Sequence, residues 1–541
     1  MRTARFIGSW LAGVIALALA VTLFVQWLRF VLDSAGATTP MPLLLGMALG
    51  VNLLVWSLVG AVRLGDDTVR GLAARRAARG RHRALAPRRA SASAEAREPV
   101  GVEAAEPAGD RVSARSRVSA PNAGSAGGPA ALDPDDTLPA PGKSAETEAE
   151  GHADTPTAGA AEDAPPLSLA VVIPAHNEEP VIGGAITSAL RLFDRWDIYV
   201  VSDSSHDATA DIAAETGVNV LELLTNRGKA GAIEAVVEEF ELTENYDGVV
   251  ILDADTELDS GYVEGARRQL GDHGVAAVAG FVVAEWKPKQ RTVVGRMISA
   301  YRDRLYWLLQ YLMRFGQTWR HTSVSFIVPG FASVYRTSAL KAIDINPKGL
   351  VIEDFNMTFE VHHKRLGRIS MNPDTRAHCQ DPFTLADYTS QVRRWTLGFW
   401  QTIRRHGIWP SLFWFALFFY ILEVVIVAVL LLTTALLGVF TAVPALTGGA
   451  VLDIDAYAAG YGAVTAVLPL TTILVGLFVP DYILTCILAT IRRRPSYLVY
   501  GLFFMPMRIL DAYLTLRTVP QAWTLRSDGR WKSPGRAAER L

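Results

Sequence analysis

The chain has 541 residues, half of them hydrophobic and only 20% charged, with 52 basic against 54 acidic side chains and two cysteines. A mean hydropathy of +0.21, concentrated in apolar runs beyond the roughly 18 residues that mark a membrane helix, excludes a purely soluble enzyme. Two cysteines, Cys379 and Cys486, expected to be reduced, exclude a disulfide-stapled or zinc-finger domain, and a net charge of -2 leaves nucleic acid out of the expected partners.

The first apolar run, Phe6 to Leu32, follows Arg2 and Arg5. A signal peptide is the rival reading, but the run is too long for an h-region of about 7–15 residues. A second run, Met41 to Leu64, follows across a short turn, so residues 1–66 are expected to form a transmembrane hairpin. The arginines from Arg70 to Arg89 then place that end on the cytoplasmic side, where they also meet anionic lipid head groups. From about residue 84 to 165 there is no aromatic residue, and Ala, Pro, Gly, Ser and acidic residues dominate. Such a stretch buries too little apolar surface to order itself. Residues 67–165 are expected to be a basic, then disordered, cytoplasmic linker.

Folded character begins at Leu167. The apolar run Leu169–Ile173 reads as a buried parallel strand. Helix-like and strand-like segments then alternate: helix 181–192, strand 197–201, helix 207–215, strand 218–221, helix 229–239 and strand 248–252. That alternation reads as a βα nucleotide-binding sheet. Neither Gly-x-Gly-x-x-Gly nor a P-loop follows the first strand, so dinucleotide and P-loop readings have little support. Two mixed apolar and basic stretches, 294–315 and 384–405, read as amphipathic helices on a membrane face, or else as core helices with a wet edge. A long apolar run from about Ile408 to Val443 is interrupted chiefly by Glu423, an ionisable group expected to face protein or a water-filled channel. A further run, Val464 to Ile491, stops at Arg492-Arg493-Arg494, a cytoplasmic signal. The segment Tyr497–Leu516, with Pro506, Arg508 and Asp511, either crosses the membrane or lies at its interface. Residues 408–516 therefore hold two or three membrane helices, and 517–541 form a polar tail.

The carboxylates of the central block collect at the ends of expected strands: Asp203 after 198–201, Asp253 and Asp255 after 249–252, Glu353 and Asp354 after 350–352. In open α/β sheets the ligand crevice lies beyond the carboxyl ends of the strands. Acidic groups converging there repel one another unless a cation or ligand joins them. Oxygen ligands suit Mg²⁺ or Mn²⁺ held by one or two carboxylates plus substrate phosphates.

Residues 167–407 resemble the membrane-integrated, inverting family 2 glycosyltransferases, among them poly-N-acetylglucosamine, chitin-oligosaccharide, hyaluronan and cellulose synthases. Pro174-Ala175-His176-Asn177-Glu178-Glu179 is similar to the family's opening loop. In Val201-Ser202-Asp203 the resemblance gives Asp203 the uracil contact, with Ser202 where an Asp is usual. Arg227-Gly228-Lys229 is similar to the Gly-Lys loop, with Lys229 near the diphosphate or base. Asp253-Ala254-Asp255 resembles the DxD motif: Asp253 for the nucleotide sugar, Asp255 for the metal. Glu353-Asp354 resembles Thr-Glu-Asp, with Ile352 for Thr, and makes Asp354 the general base beside Glu353. Gln391-Val392-Arg393-Arg394-Trp395 resembles the Gln-x-x-Arg-Trp signature of processive enzymes. It implies that Gln391 and Arg394 serve the nucleotide sugar and Trp395 the acceptor. Residues 326–336 resemble an acceptor-contacting loop in which Gly330 permits close approach.

The implied fold class is α/β: a GT-A-type nucleotide-sugar domain, 166–382, between N-terminal and C-terminal transmembrane helices, with 383–407 as an interface helix. The implied activity is that of an inverting, processive hexosyltransferase at the plasma membrane, its catalytic domain cytoplasmic. It would extend a β-linked polysaccharide from a UDP-sugar, with UDP-N-acetylglucosamine expected. The alternatives are a single transfer to a lipid-linked acceptor and an inactive membrane scaffold. Mg²⁺ or Mn²⁺ is the implied cofactor. The implied partners are the donor, the growing polysaccharide or lipid-linked acceptor, membrane lipids, and a polysaccharide-modifying or export protein.

Overall fold

Every side chain of Leu169–Ala175 is buried, as a strand covered by helices on both faces requires. It is β1 of the computed structural model, which describes residues 2–33, 41–85 and 166–525. β2 (Ile198–Asp203), β3 (Asn219–Leu223) and β4 (Gly248–Leu252) extend the parallel arrangement in the order β3-β2-β1-β4. β5 (Thr256–Leu258), β6 (Val275–Val278), β7 (Phe281–Ala284), β8 (Ala332–Arg336), β9 (Arg368–Ser370) and β10 (Arg376–Cys379) complete the strands. β8 runs antiparallel between β4 and β6, and β9 pairs parallel to β6, so the seven-stranded sheet is mixed. β5, β10 and β7 form a second, three-stranded sheet. Val171, Ile173 and Val200 face one core, while Val172, Val201 and Ile251 face the other.

The helices that matter here are, in chain order, α1 (Arg2–Asp33), α2 (Met41–Leu49), α3 (Val51–Leu85), α4 (Gly228–Glu239), α5 (Val293–Trp307), α6 (Glu353–His363), α7 (Leu385–His406) and α8 (Leu412–Leu446). They are followed by α9 (Asp455–Val467), α10 (Leu470–Arg492) and α11 (Ser496–Thr524). α4 covers the second core through Ala232, Ile233 and Val236. Among the described residues α8, α10 and α11 are long and apolar enough to cross a membrane. In α1 the shorter stretch Ala18–Phe30 is apolar.

The structure departs from the sequence expectations at several points. The second apolar run breaks at Gly50, whose φ is +81°. Glu423 of α8 fills that break, accepting from the Asn52 backbone N at 2.7 Å and from Asn52 Nδ2 at 2.8 Å. An acidic group in membrane-like surroundings thus caps a helix start. α3 stays helical to Leu85, so the first part of the expected linker is helix. Residues 86–165 and the tail beyond 525 lie outside the described residues. The run from Val464 breaks at Leu468–Pro469, because proline opens a new helix there. Residues 350–352 are not a strand. Glu353 and Asp354 instead open α6, where the helix dipole favours acidic side chains.

Candidate active site

Asp203 closes β2 and is fully buried. Its Oδ1 accepts from the Arg227 N–H at 2.7 Å and its Oδ2 from the Gly228 N–H at 2.8 Å. Burial pushes its pKa up, against the pull of those two amides. The carboxylate to which the resemblance assigns uracil is thus the anchor of the Gly-Lys loop. Ser202 is buried too and donates to Ser205 Oγ at 3.0 Å, so the atypical serine has internal work. Asn177 and Ser204, in the loops after β1 and β2, are non-glycine residues with positive φ, the sort of backbone strain that collects at ligand sites.

The anchored loop starts α4 and sets Lys229 in the centre of the acidic group. Lys229 Nζ lies 2.7 Å from Asp253 Oδ1, 2.9 Å from Glu353 Oε1 and 3.0 Å from the Gly330 carbonyl. An ammonium has three donors, and all three are taken. Burial alone would depress Lys229; Asp253 and then Glu353 overcome it and hold the lysine protonated. The two carboxylates respond in opposite directions. Burial raises Asp253, and the pull of Lys229 does not offset burial combined with the repulsion of Asp255 and Glu353. Burial also opposes the ionised form of Glu353, but Lys229, with help from Arg394, outweighs it and leaves Glu353 below its ordinary range. The DxD turn is tied to the same place: the Asp253 N–H donates to the Phe331 carbonyl at 2.8 Å.

Asp354 lies beside this group without joining the lysine. Burial, then the adjacent Glu353 charge, pushes it up to about 7. Its partners are the Phe355 N–H at 2.7 Å and the Gly330 N–H at 3.4 Å. Gly330 is needed for this packing. A Cβ there would sit 3.0 Å from Lys229 Nζ and 3.1 Å from Glu353 Oε1.

Asp255 is half-buried in the β4–β5 turn, with the Thr256 hydroxyl 3.3 Å from its Oδ1. Across the small sheet Cys379 pairs with Thr256. Burial, followed by Asp255 and Asp381, pushes that thiol well above its ordinary pKa, so it is a neutral thiol. Cys379 and Cys486 are both free. Among the described residues no three His, Cys, Asp or Glu side chains assemble a complete metal cage. Asp255 with Asp253 suits the other arrangement, in which one or two carboxylates share Mg²⁺ or Mn²⁺ with phosphate oxygens.

The signature residues divide between two places. Arg394 of α7 acts on Glu353. Gln391 and Trp395, one helical turn apart, face Arg302 of α5: Nη1 donates to Gln391 Oε1 at 3.0 Å, and the guanidinium lies 4.4 Å from the Trp395 ring centroid. Val392 points into a core with Tyr301 and Tyr388, which explains an apolar residue at that position. Gly398 lets α7 approach the start of α6, where a Cβ would lie 2.9 Å from Ile352 Cβ.

Residues 170–343 match the family described as glycosyl transferase family 2. This stretch is a family 2 glycosyl transferase domain. The Staphylococcus epidermidis poly-beta-1,6-N-acetyl-D-glucosamine synthase is 23% identical over 254 residues, covering 44% of this chain and 57% of that one. The Drosophila melanogaster dolichyl-phosphate beta-glucosyltransferase is 36% identical over 88 residues, 13% of this chain and 27% of that one. The chain thus spans little more than half the length of these curated relatives, or less. Among solved structures, the Pyrobaculum calidifontis mannosyltransferase in complex with GDP-Man and Mn2+ is 19% identical, with a TM-score of 0.40 over 61% of this chain and 88% of that one.

The transferase domain also holds residues that sequence reasoning did not single out. Arg302 and Asp381 are buried at 1% and 2% exposure. Arg314, pulled down to about 10 by burial, feels both Tyr420 of α8 and Asp354. A run of ionisable residues inside the apolar 294–315 stretch was the available signal for Arg302. Asp381 and Arg314 meet their partners only through the fold.

Proposed function

We propose that the chain is an inverting hexosyltransferase that moves a sugar from a UDP-sugar, UDP-N-acetylglucosamine first, onto a β-linked glycan growing at the membrane. The carrying observation is the pairing of a partly buried Lys229, held by Asp253 and Glu353, with a separate carboxyl, Asp354, pushed up to about 7. Two environments that push neighbouring carboxyls apart assign them different tasks. A base near neutrality is suited to take the acceptor hydroxyl proton. Attack by that oxygen on the anomeric carbon, opposite the leaving diphosphate, inverts the centre.

Charge develops on the departing diphosphate, and Lys229, through its charge rather than a spare donor, and Arg394 would stabilise it. Mg²⁺ or Mn²⁺ held by Asp255 would add Lewis-acid stabilisation of the same oxygens. Asp203 supports this indirectly, by fixing the loop that presents Lys229. Trp395 offers an aromatic face to the acceptor. α8, α10 and α11 supply the apolar lengths for a multi-pass protein. The arginine-rich C-terminal half of α3 and the Arg492–Arg494 run at the end of α10 favour a cytoplasmic catalytic domain, from which the product would pass across the membrane to an export or modifying protein.

A second reading, single transfer to a lipid-linked acceptor, is favoured by the 36% identity to the dolichyl-phosphate enzyme. The test is UDP release and product length, measured together on full-length protein in nanodiscs with each common UDP-sugar and Mg²⁺ or Mn²⁺. Long glycan from one donor is expected. A one-sugar lipid product would sink processivity, and no UDP release from any donor would leave the scaffold reading standing.

A further inference from the structure

Tyr301, Arg302, Asp303 and Arg304 are consecutive in α5, and their exposures are 3%, 1%, 1% and 4%. At about 100° per residue, four successive positions face all sides of a helix. Residues 298–304 of α5 are therefore enclosed by protein, while Val293 and Val294 at its start are exposed, which favours the core-helix alternative over the membrane-face one. Three of the four reach the C-terminal helices. Tyr301 donates to Asp511 Oδ2 of α11 at 2.7 Å. Asp303 accepts from Arg492 at 2.6 Å and from the Tyr497 hydroxyl at 2.8 Å. Arg304 Nη1 pairs with Asp481 Oδ2 of α10 at 2.8 Å.

Arg302 turns the other way. Besides Gln391 and Trp395, it bonds the Tyr306 hydroxyl, and its Nε lies 3.7 Å from Asp381 Oδ1. A guanidinium only donates, so Gln391 must present its carbonyl oxygen to Arg302, leaving its NH₂ as a donor for something else. The same guanidinium covers one face of the Trp395 indole, and the opposite face is the one assigned here to a sugar ring. We propose that Arg302 is a positioning residue for the sugar acceptor, locking Trp395 and Gln391, the latter reassigned here from the donor to the acceptor side, into one platform and joining it through α5 to the C-terminal helices. This rests on the glycosyltransferase reading above. Lysine cannot replace the arrangement, because a point-charge ammonium has no plane to stack and no fork to share between partners.

The test uses full-length protein in nanodiscs, titrated calorimetrically with UDP and, separately, with a β-linked N-acetylglucosamine pentamer. Arg302→Lys should keep UDP affinity within about twofold and weaken the oligosaccharide about tenfold or more, as loss of a stacked, forked contact predicts. The effects of Arg302→Lys and Trp395→Phe should be non-additive, since both act on one platform. If Arg302→Lys does not fold, the double variant Arg302→Met/Asp381→Asn removes the buried charge pair together, a replacement that cores tolerate, and should show the same selective loss. Unchanged oligosaccharide affinity, parallel loss of UDP affinity, or a wild type that does not bind the pentamer overturns the proposal. UDP release from UDP-N-acetylglucosamine is recorded on the same wild type. Binding of the pentamer without release counts against the proposed function alone, while release with Arg302-independent binding counts against the platform alone.

Discussion

At the scale of residues, Asp354 and Glu353 are chemical neighbours with opposite tasks. Lys229 holds Glu353 ionised, and the Glu353 charge in turn helps keep Asp354 near 7. The sign of the pH dependence follows. Below 7 Asp354 is mostly protonated and cannot accept a proton; above 7 it is ionised. Turnover, read as UDP release, should fall about tenfold for each pH unit below the midpoint and level off above it. Asp354→Asn should lose about 10²–10⁴ in kcat and abolish that acid limb. A retained acid limb in the variant would move the base elsewhere. Gly330→Ala tests the geometry from another side. Its methyl would press on Lys229 Nζ and Glu353 Oε1, so turnover should drop by about tenfold or more through misplacement. Thermal unfolding should move little, because flexible side-chain ends can give way.

At the scale of elements, α3 is joined to the π-helical stretch Leu308–Arg314 and the turn after it. Ser57 Oγ donates to the Leu312 carbonyl at 3.0 Å. Arg63 donates to the Phe315 carbonyl at 2.7 Å and to Asn372 Oδ1 at 2.8 Å. Gly316 makes the approach possible: a Cβ there would lie 2.2 Å from the Trp56 carbonyl. Backbone cannot yield as a side chain does, so Gly316→Ala should cost about 1–3 kcal/mol, seen as a lower Tm in detergent. An unchanged Tm would mean that α3 does not brace this segment. The legibility of the elements has the same local basis. β1 to β4 were readable because each is a short apolar run ended by turn residues, and after β1, β2 and β3 a helix follows. β8 and the sheet β5-β10-β7 were not, because strands such as Thr256–Leu258 are three residues long and acquire their partners from distant chain. Ile352 looked like a strand end because it is apolar and extended, yet it precedes a helix. α5 looked wet because it is charged, yet Arg302, Asp303 and Arg304 are buried against counter-charges on other elements. The acidic cluster was legible as residue types, whereas the lysine bridge that orders it required the fold.

At the scale of the whole molecule, sequence character changes at residue 382 but the packing does not. One hydrophobic core contains Ile298, Ala300 and Tyr301 of α5, Tyr388 and Val392 of α7, and Leu488, Phe504, Met507 and Leu514 of the C-terminal helices. Charge follows the same route, since Asp481 takes both Arg304 from α5 and Arg508 from α11. A fragment of residues 166–382 would leave Arg304 and Asp303 without their counterparts and open this core to water. It should therefore aggregate or lack a cooperative unfolding transition, although it contains every strand of both sheets. In the full chain, Asp481→Asn keeps the shape but leaves the buried Arg304 and the half-buried Arg508 without their shared counter-charge. Breaking such a buried pair on one side costs about 3–5 kcal/mol, which should appear as a large drop in Tm with UDP affinity retained in the protein that remains folded. A monodisperse, cooperatively unfolding 166–382 fragment would show instead that the catalytic block is independent. The C-terminal helices would then be a passive attachment rather than part of the structure on which the proposed acceptor platform depends.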